Sequence, residues 1–362
     1  MMSIINNSKA YRNLSTFDTV ATSKIFPPKS LDTKQFKHFT DKYKNHYLYH
    51  RNEKSGIYTK IKTLKDGFLR VTATFSIPVL LYGSNIFQVT SDAEILRALD
   101  IVSGGESDLL NKTFDAANME TVRVDGNGDF FVPPFSEYFK ALSHHELPTL
   151  TRRIFPFNPM TVNQLQPYLL DLYSIETISF QNGTRSITAY DKKTQSDDKY
   201  EKLLKDSHLT PKQIKIAKRN RDFADGIFRV ENSERKDALN ASILKFHKTE
   251  RKTAKNVLTM EFADFLVEKA LKELYLNKDI PTFDEYQQQI LDIFSNTKTA
   301  NTLIRFMTDV SEVGINTAKR KFDKADYRIR QLKEADIFRT YFAEKKLPAL
   351  TVFGNDNEAY YL

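Results

Sequence analysis

The chain has 362 residues, with 54 Lys and Arg against 46 Asp and Glu for a formal charge of +8, and no cysteine or tryptophan. That length buries a full core without covalent staples, and the missing cysteines exclude disulfides, thiolate catalysis and zinc–thiolate sites together. No apolar run approaches membrane-spanning length and no apolar leader follows the first methionines, so a cytoplasmic protein without a membrane partner is expected, its spread positive charge favouring polyanions.

Residues 1–30 are polar and close on Phe26-Pro27-Pro28-Lys29-Ser30, which reads as a loosely attached arm. Residues 31–49 mix charged and aromatic side chains at helical spacing, with Phe36, Phe39 and Tyr43 as core contacts. Strands are expected over 57–62, 68–75 and 78–82, where branched residues are dense or alternate. A helix over 92–102 places Ile95, Leu96, Leu99 and Val102 on one stripe. A strand at 120–125 and helices at 135–142 and 162–172 follow. The hairpin over 176–190 turns at Asn182-Gly183, the strongest short-range hairpin signal. Residues 205–295 read mostly as helix, most clearly over 254–275, and the polar stretch Ser295-Asn296-Thr297-Lys298-Thr299 suggests a boundary. Beyond it, helices over 303–313, 316–322 and 324–334 form a helix-turn-helix-like trio around Gly314, with Asn316 or Thr317 placed to cap the second. Strands and hairpins clustered around helices do not fit a βαβ repeat. The expected class is therefore α+β with an antiparallel sheet, divided into an arm (1–30), a main domain (31–295) and a C-terminal helical domain (296–362).

Chemistry concentrates at Ser186-Ile187-Thr188-Ala189-Tyr190-Asp191-Lys192-Lys193, where an alternating strand ends on a tyrosine followed at once by two lysines. A phenol titrates near 10, so attack on a phosphodiester needs local positive charge and a polarised phosphate. The plain alternative is an amphipathic tyrosine at a strand edge. Asp125-Gly126-Asn127-Gly128-Asp129 opens like a calcium loop, but Phe130 stands where glycine is needed and Ser136 where a bidentate glutamate is needed. The histidines show no metal spacing and read as satisfied surface or core residues. Along one face of a regular strand fall Arg123, Asp125, Asn127 and Asp129, and Arg123 and Asp125 are equally suited to plain ion pairs.

Four blocks stand in order around Tyr190: Gly83, Asn85, Ile86 and Phe87; Arg123, Val124 and Asp125; Ala189, Tyr190 and Lys192; and Phe223, Ala224, Gly226, Arg229 and Glu231. This order resembles the filamentous-phage gene II family of rolling-circle replication initiators, over roughly residues 70 to 275 and again near Tyr327-Arg328-Ile329-Arg330. The resemblance implies an antiparallel-sheet nuclease core that nicks and religates one strand at an origin through a 5′-phosphotyrosine on Tyr190, assisted by Lys192. It implies Mg2+ or Mn2+ on Asp125 and Glu231, with Asp129 as a further ligand. DNA contacts are expected from Lys193, Arg123 and Arg229, and from Lys319, Arg320, Tyr327, Arg328 and Arg330 in the C-terminal helices. Origin DNA, a host helicase and a polymerase are the expected partners. The rival readings are a non-catalytic origin- or operator-binding protein and a plasmid mobilisation relaxase.

Overall fold

The computed structural model describes residues 15–41, 46–53, 55–131, 135–147, 149–156, 175–205, 210–249 and 251–352. The expected helix at 162–172 and Tyr43 lie outside these.

Ten strands form one antiparallel sheet: β1 (Ser15–Phe26), β2 (Lys37–Thr40), β3 (His46–Arg51), β4 (Tyr58–Thr63), β5 (Leu69–Ser76), β6 (Glu120–Phe130), β7 (Thr151–Pro156), β8 (Ile175–Gln181), β9 (Arg185–Asp191) and β10 (Phe228–Arg235). Their spatial order is β2-β3-β4-β5-β1-β6-β10-β9-β8-β7. The α+β expectation holds at this level. The loose arm does not: from Ser15 onward it is a central strand between β5 and β6. Its run of Thr, Val, Ile and Phe is strand-forming, and Phe17 and Val20 are fully buried.

The helical expectation for 31–49 also fails. Phe36 is buried as expected, but β2 and β3 pair as antiparallel strands and Phe39 is 50% exposed. The segment expected as a strand at 78–82 is helix α1 (Ile77–Tyr82). Ser76 caps it by accepting from the Val79 amide at 3.4 Å, Pro78 fits the first turn, and Gly83 at φ 75° ends it. Helix α2 (Asp92–Leu110) runs longer than expected, and Leu96 turns outward. Helix α3 (Phe135–Ser143) and the hairpin of β8 and β9 stand where expected. The Asn182 side chain accepts from the Thr184 and Arg185 amides, holding that turn.

Helices α4 (Lys192–Leu204) and α5 (Pro211–Phe223) follow β9. Strand β10 interrupts the region expected as helical, and α6 (Lys236–His247) leads on from it. The helix expected over 254–275 is two, α7 (Ala254–Val257) and α8 (Met260–Glu273), because Thr259 caps a fresh start by accepting from the Phe262 amide.

Alternation divides the sheet. One face carries Val71, Ala73, Phe75, Val20, Val124 and Val230, all buried, each contributing about 1.5–3 kcal/mol for the larger side chains. Helices α2 and α8 cover it. Gly126 and Gly128 keep β6 intact as a strand of this face: a Cβ at Gly126 would lie 3.0 Å from Leu266 Cβ, and one at Gly128 2.8 Å from Val267 Cγ1. The polar run after Glu231 does not end β10 either, because Asn232 donates to Leu266 O of α8 at 2.9 Å and Lys269 of α8 reaches the buried Glu234 at 2.8 Å.

The last helices are α9 (Phe283–Ile293), α10 (Thr297–Val313), α11 (Ile315–Lys321) and α12 (Ala325–Glu334). They share a core of Tyr286, Leu303, Phe306, Val310 and Leu332. Because α9 belongs to that core, the hydrophobic unit begins before the expected boundary at 296. The chain then returns, and Tyr341, Leu347 and Leu350 pack with residues of the sheet. Gly314, at φ 77°, starts α11 without any side-chain cap, so neither Asn316 nor Thr317 caps it. Among the described residues no helix is long and apolar enough to cross a membrane.

Candidate active site

The opposite face of the sheet carries Tyr190 and the charged residues that the sequence singled out. Register places Tyr190 beside Arg229, Arg229 beside Asp129, Glu231 beside Asn127 and Ser233 beside Asp125. The four sequence blocks therefore meet in space. Arg229 donates to the Asn85 carbonyl at 3.0 Å, and Phe87 packs on Phe223 with ring centroids 5.3 Å apart, so the turn after α1 and the end of α5 close over the strands.

Tyr190 is 6% exposed. It ends β9 at the point where the chain turns into α4, with Asp191 capping that helix through the Lys193 amide at 2.8 Å. The turn breaks the strand alternation, so Lys192 folds back beside the phenol, its Nζ 5.6 Å from the ring centroid and 2.9 Å from Gln195 Oε1. The Tyr190 hydroxyl donates to Glu231 Oε2 at 3.5 Å. Burial pushes the phenol well above its ordinary value, with Arg229 pulling the other way. Burial and the neighbouring cations Arg229 and Lys199 push the Lys192 ammonium well below its ordinary range.

Arg229 is fully buried and grips Asp129 with two nitrogens, Nε on Oδ1 and Nη2 on Oδ2, the latter at 2.6 Å. Burial opposes its charge, but Asp129 and Tyr190 outweigh that and raise its pKa. This corrects two expectations. Arg229 is buried instead of standing on a surface where DNA contacts were expected, and Asp129 is sealed inside with it, unlike Asp125, whose partner Arg123 is partly exposed. The pair instead fixes a positive charge next to the phenol.

Asp125 is held by Arg123, Nε to Oδ1 at 2.9 Å and Nη2 to Oδ2 at 2.6 Å, and also bonds Ser233. Burial raises its carboxyl while Arg123 opposes the rise. Burial, then Asp125 and Asp18, lift Glu231 to about 7. Asp18, which sequence reasoning assigned to the arm, is therefore part of the site. Its oxygens accept from Ser76 at 2.7 Å and Asn85 at 3.0 Å. The β-forming run 15–26 signalled a strand there, but not which strands it lies between. Lys199 reaches Asn85 Oδ1 at 3.4 Å from α4 and was also missed, because helix α4 brings it back over the sheet.

Among the described residues two buried amides, Asn127 and Gln88, have no hydrogen-bond partner for either side-chain atom. Such groups call for a ligand or water. Asn127 lies between Asp125 and Glu231 on the same face, so its unpartnered oxygen joins two carboxylates that repel each other. That donor set is hard oxygen and suits Mg2+ or Mn2+, ions held through one or two carboxylates together with substrate phosphate. Among the described residues no group of three His, Asp or Glu is placed to hold an ion without such help.

The remaining expected DNA contacts are scattered. Lys193 pairs with Asp197 at 2.6 Å, and Arg123 is 39% exposed beyond its pair with Asp125. Lys319 pairs with Asp326 at 2.7 Å, Arg320 is exposed, and Arg330 lies over the ring of Tyr327 at 5.3 Å. Arg328, half-buried, lines an open hollow of about 650 Å³ with Lys298, Asn301, Thr302, Arg305 and Phe322. His145 is a core histidine, bonded to Thr340 at 2.7 Å and the Glu273 carbonyl at 2.9 Å, and burial lowers its pKa to about 4.

The chain matches no protein-family model and no curated protein sequence.

Proposed function

We propose that this protein is a rolling-circle replication initiator that nicks and religates one DNA strand through Tyr190. The observation that carries the reading is a phenol hydrogen-bonded to Glu231 and cross-strand from a buried, permanently charged Arg229, with all four sequence blocks gathered around it. In the nicking step the Tyr190 oxygen bonds to phosphorus, the bond from phosphorus to the 3′-oxygen breaks, and the phenol proton passes in net to that 3′-oxygen. Ligation is the reverse.

Glu231 orients the phenol through its hydrogen bond. Arg229 favours negative charge on the attacking oxygen. An entering phosphate opposes the burial that disfavours the Lys192 ammonium and so favours its charged form beside the transition state. Arg123, partly exposed, can exchange its carboxylate for phosphate. Asp125 and Glu231, with Asn127 between them, are the residues that would hold Mg2+ or Mn2+, which when bound supplies a Lewis acid for the scissile phosphate. Because Tyr190 is nearly closed off, the α4–α5 pair and the turn at Asn85 must part to admit DNA.

Incubation of the full chain with supercoiled origin DNA and Mg2+ is expected to give nicked product covalently bound to protein, with the nucleotide on Tyr190 by mass spectrometry. Tyr190→Phe keeps binding and loses the adduct, and Asp125→Asn and Glu231→Gln lose metal-dependent nicking while keeping the fold. An adduct on Tyr200, or full nicking in excess chelator, overturns the assignment. A non-catalytic DNA-binding protein is the second reading, favoured by the closed environment of Tyr190. Specific binding without any adduct would select it.

A further inference from the structure

Strands β2, β3 and β4 present an unusual face to solvent. Their pairing sets Lys37 beside Tyr49, Phe39 beside Tyr47, Tyr49 beside Lys60 and Arg51 beside Tyr58, and β4 with β5 sets Lys62 beside Arg70. These residues alternate with Leu48, Thr59, Ile61 and Val71, which turn to the core side. The outer face is thus four aromatic rings interleaved with five cations: Lys37, Arg51, Lys60, Lys62 and Arg70. Phe39 is 50% and Tyr58 37% exposed. The rings of Phe39, Tyr49 and Tyr58 form a line across three strands, with successive centroids 6.3 and 6.1 Å apart. Lys60 Nζ lies 3.4 Å from the centre of the Tyr47 ring. Among the described residues none of the five cations makes an ion pair.

We propose that this face binds a single-stranded nucleic acid, its bases stacking on Phe39, Tyr49 and Tyr58 and its phosphates meeting the interleaved cations. Exposed aromatics on a sheet are costly in water unless they serve a partner. A partner with flat apolar rings linked by one negative charge per unit matches the array of rings and cations. A duplex hides its base faces and does not match. Asp41 at the rim accepts from the Tyr47 hydroxyl at 3.2 Å, which fixes that ring at the edge of the array.

The register also connects this face to Tyr190. Tyr58 pairs with Thr74, Thr74 with Ala21, Ala21 with Arg123 and Arg123 with Arg235. The stacking array and the Asp125–Glu231 region therefore occupy one continuous side of the sheet. From β4 to β9 is five strand spacings, roughly 24 Å, and Tyr190 lies a further six residues along the strands from this row, roughly 20 Å. A strand held on the array would lead toward the phenol. That connection rests on the nuclease reading, whereas the binding itself does not.

The test is fluorescence anisotropy of the full chain with labelled dT20 and rU20, without Mg2+, with unlabelled duplex as competitor. Single-strand binding is expected to weaken about 5- to 140-fold for Tyr49→Ala and Tyr58→Ala, from a stacking contribution of about 1–3 kcal/mol per base. Tyr49→Phe is expected to bind as the wild type does, and Lys60→Gln with Lys62→Gln to flatten the salt dependence. Thermal melting of each variant checks the fold. A preference for either dT20 or rU20 over duplex supports the proposal and names the sugar. Alanine variants that fold and bind unchanged, or duplex that competes as well as single strand, overturn it. Because binding is read without turnover, failure here is distinct from loss of the adduct in Tyr190→Phe.

Discussion

On β6, Val124, Gly126, Gly128 and Phe130 turn toward helices α2 and α8, while Arg123, Asp125, Asn127 and Asp129 turn the other way. The two rows come from one strand and, Arg123 apart, are buried to nearly the same degree, yet they are held by different forces. The helix-covered row is close-packed, so its limit is volume: two glycines are needed because α8 leaves no space for a methyl group. The other row is a network of charges, so its limit is pairing: Asp129 is tolerable inside because Arg229 is there, and Arg229 because Asp129 is. Burial alone thus says little about function. Charge that is buried and only partly matched, as around Glu231, is what marks a site.

The largest stability effect is expected on the charged face. Arg229→Ala leaves Asp129 buried without a partner, which costs about 3–5 kcal/mol, and denaturant unfolding should show it. Asp129→Asn with Arg229→Met, which removes both charges, should recover much of that loss. If the double change is no better than the single one, the pair is not what holds this face.

The next effect sharpens the contrast by placing a charge on the packed face. Glu106 of α2 is 2% exposed and accepts from Thr59 Oγ1 at 2.7 Å; burial raises its carboxyl from 4.5 to about 7, and the Thr59 bond opposes the rise. Since the folded value is the higher one, folding is favoured by the proton. Below pH 4.5 both states are protonated and the group costs nothing, and stability falls as pH rises from there to about 7. The full loss is about 3 kcal/mol. Glu106→Gln keeps an acceptor for Thr59 and should gain on the wild type across that window, reaching its plateau near neutrality. Parallel pH curves for the two proteins would refute the assignment.

The smallest effect is expected at Gly128. An alanine there would set its Cβ 2.8 Å from Val267 Cγ1 and 2.9 Å from the Phe130 ring, an overpacking of about 1–3 kcal/mol. Calorimetry should show a lower Tm. Gly183→Ala, where nothing lies within 4 Å of the added carbon, is the matched control for loss of a glycine without crowding.

Local sequence carried the elements whose signals are local. The Asn182-Gly183 hairpin, the stripe of Ile95, Leu99 and Val102 in α2, and the helix over Phe135–Ser143 follow from turn chemistry and periodicity within a few residues. The order of the four blocks around Tyr190 was also legible, and so was the alternation that puts Asp125 and Asp129 on one side of β6. Where the local signal was ambiguous, neighbours settled it. Val79, Leu80 and Leu81 suit a strand or a helix, and the Ser76 cap with the Gly83 stop chose the helix.

Distance in sequence set the rest. No local pattern says that Ser15–Phe26 lies between β5 and β6, because that placement depends on pairings with residues 43 to 113 positions away, and so Asp18 could not be joined to Glu231. Likewise the sequence supplied Arg229 as one more cation in a basic chain. Only the register of β10 against β6 gave it Asp129 and removed it from the surface, since a guanidinium is stable in the interior where a carboxylate meets it on the facing strand. The residue types and their alternation were written in the chain; which charges cancel, and which remain unmatched beside Tyr190, was decided by strands folding against one another.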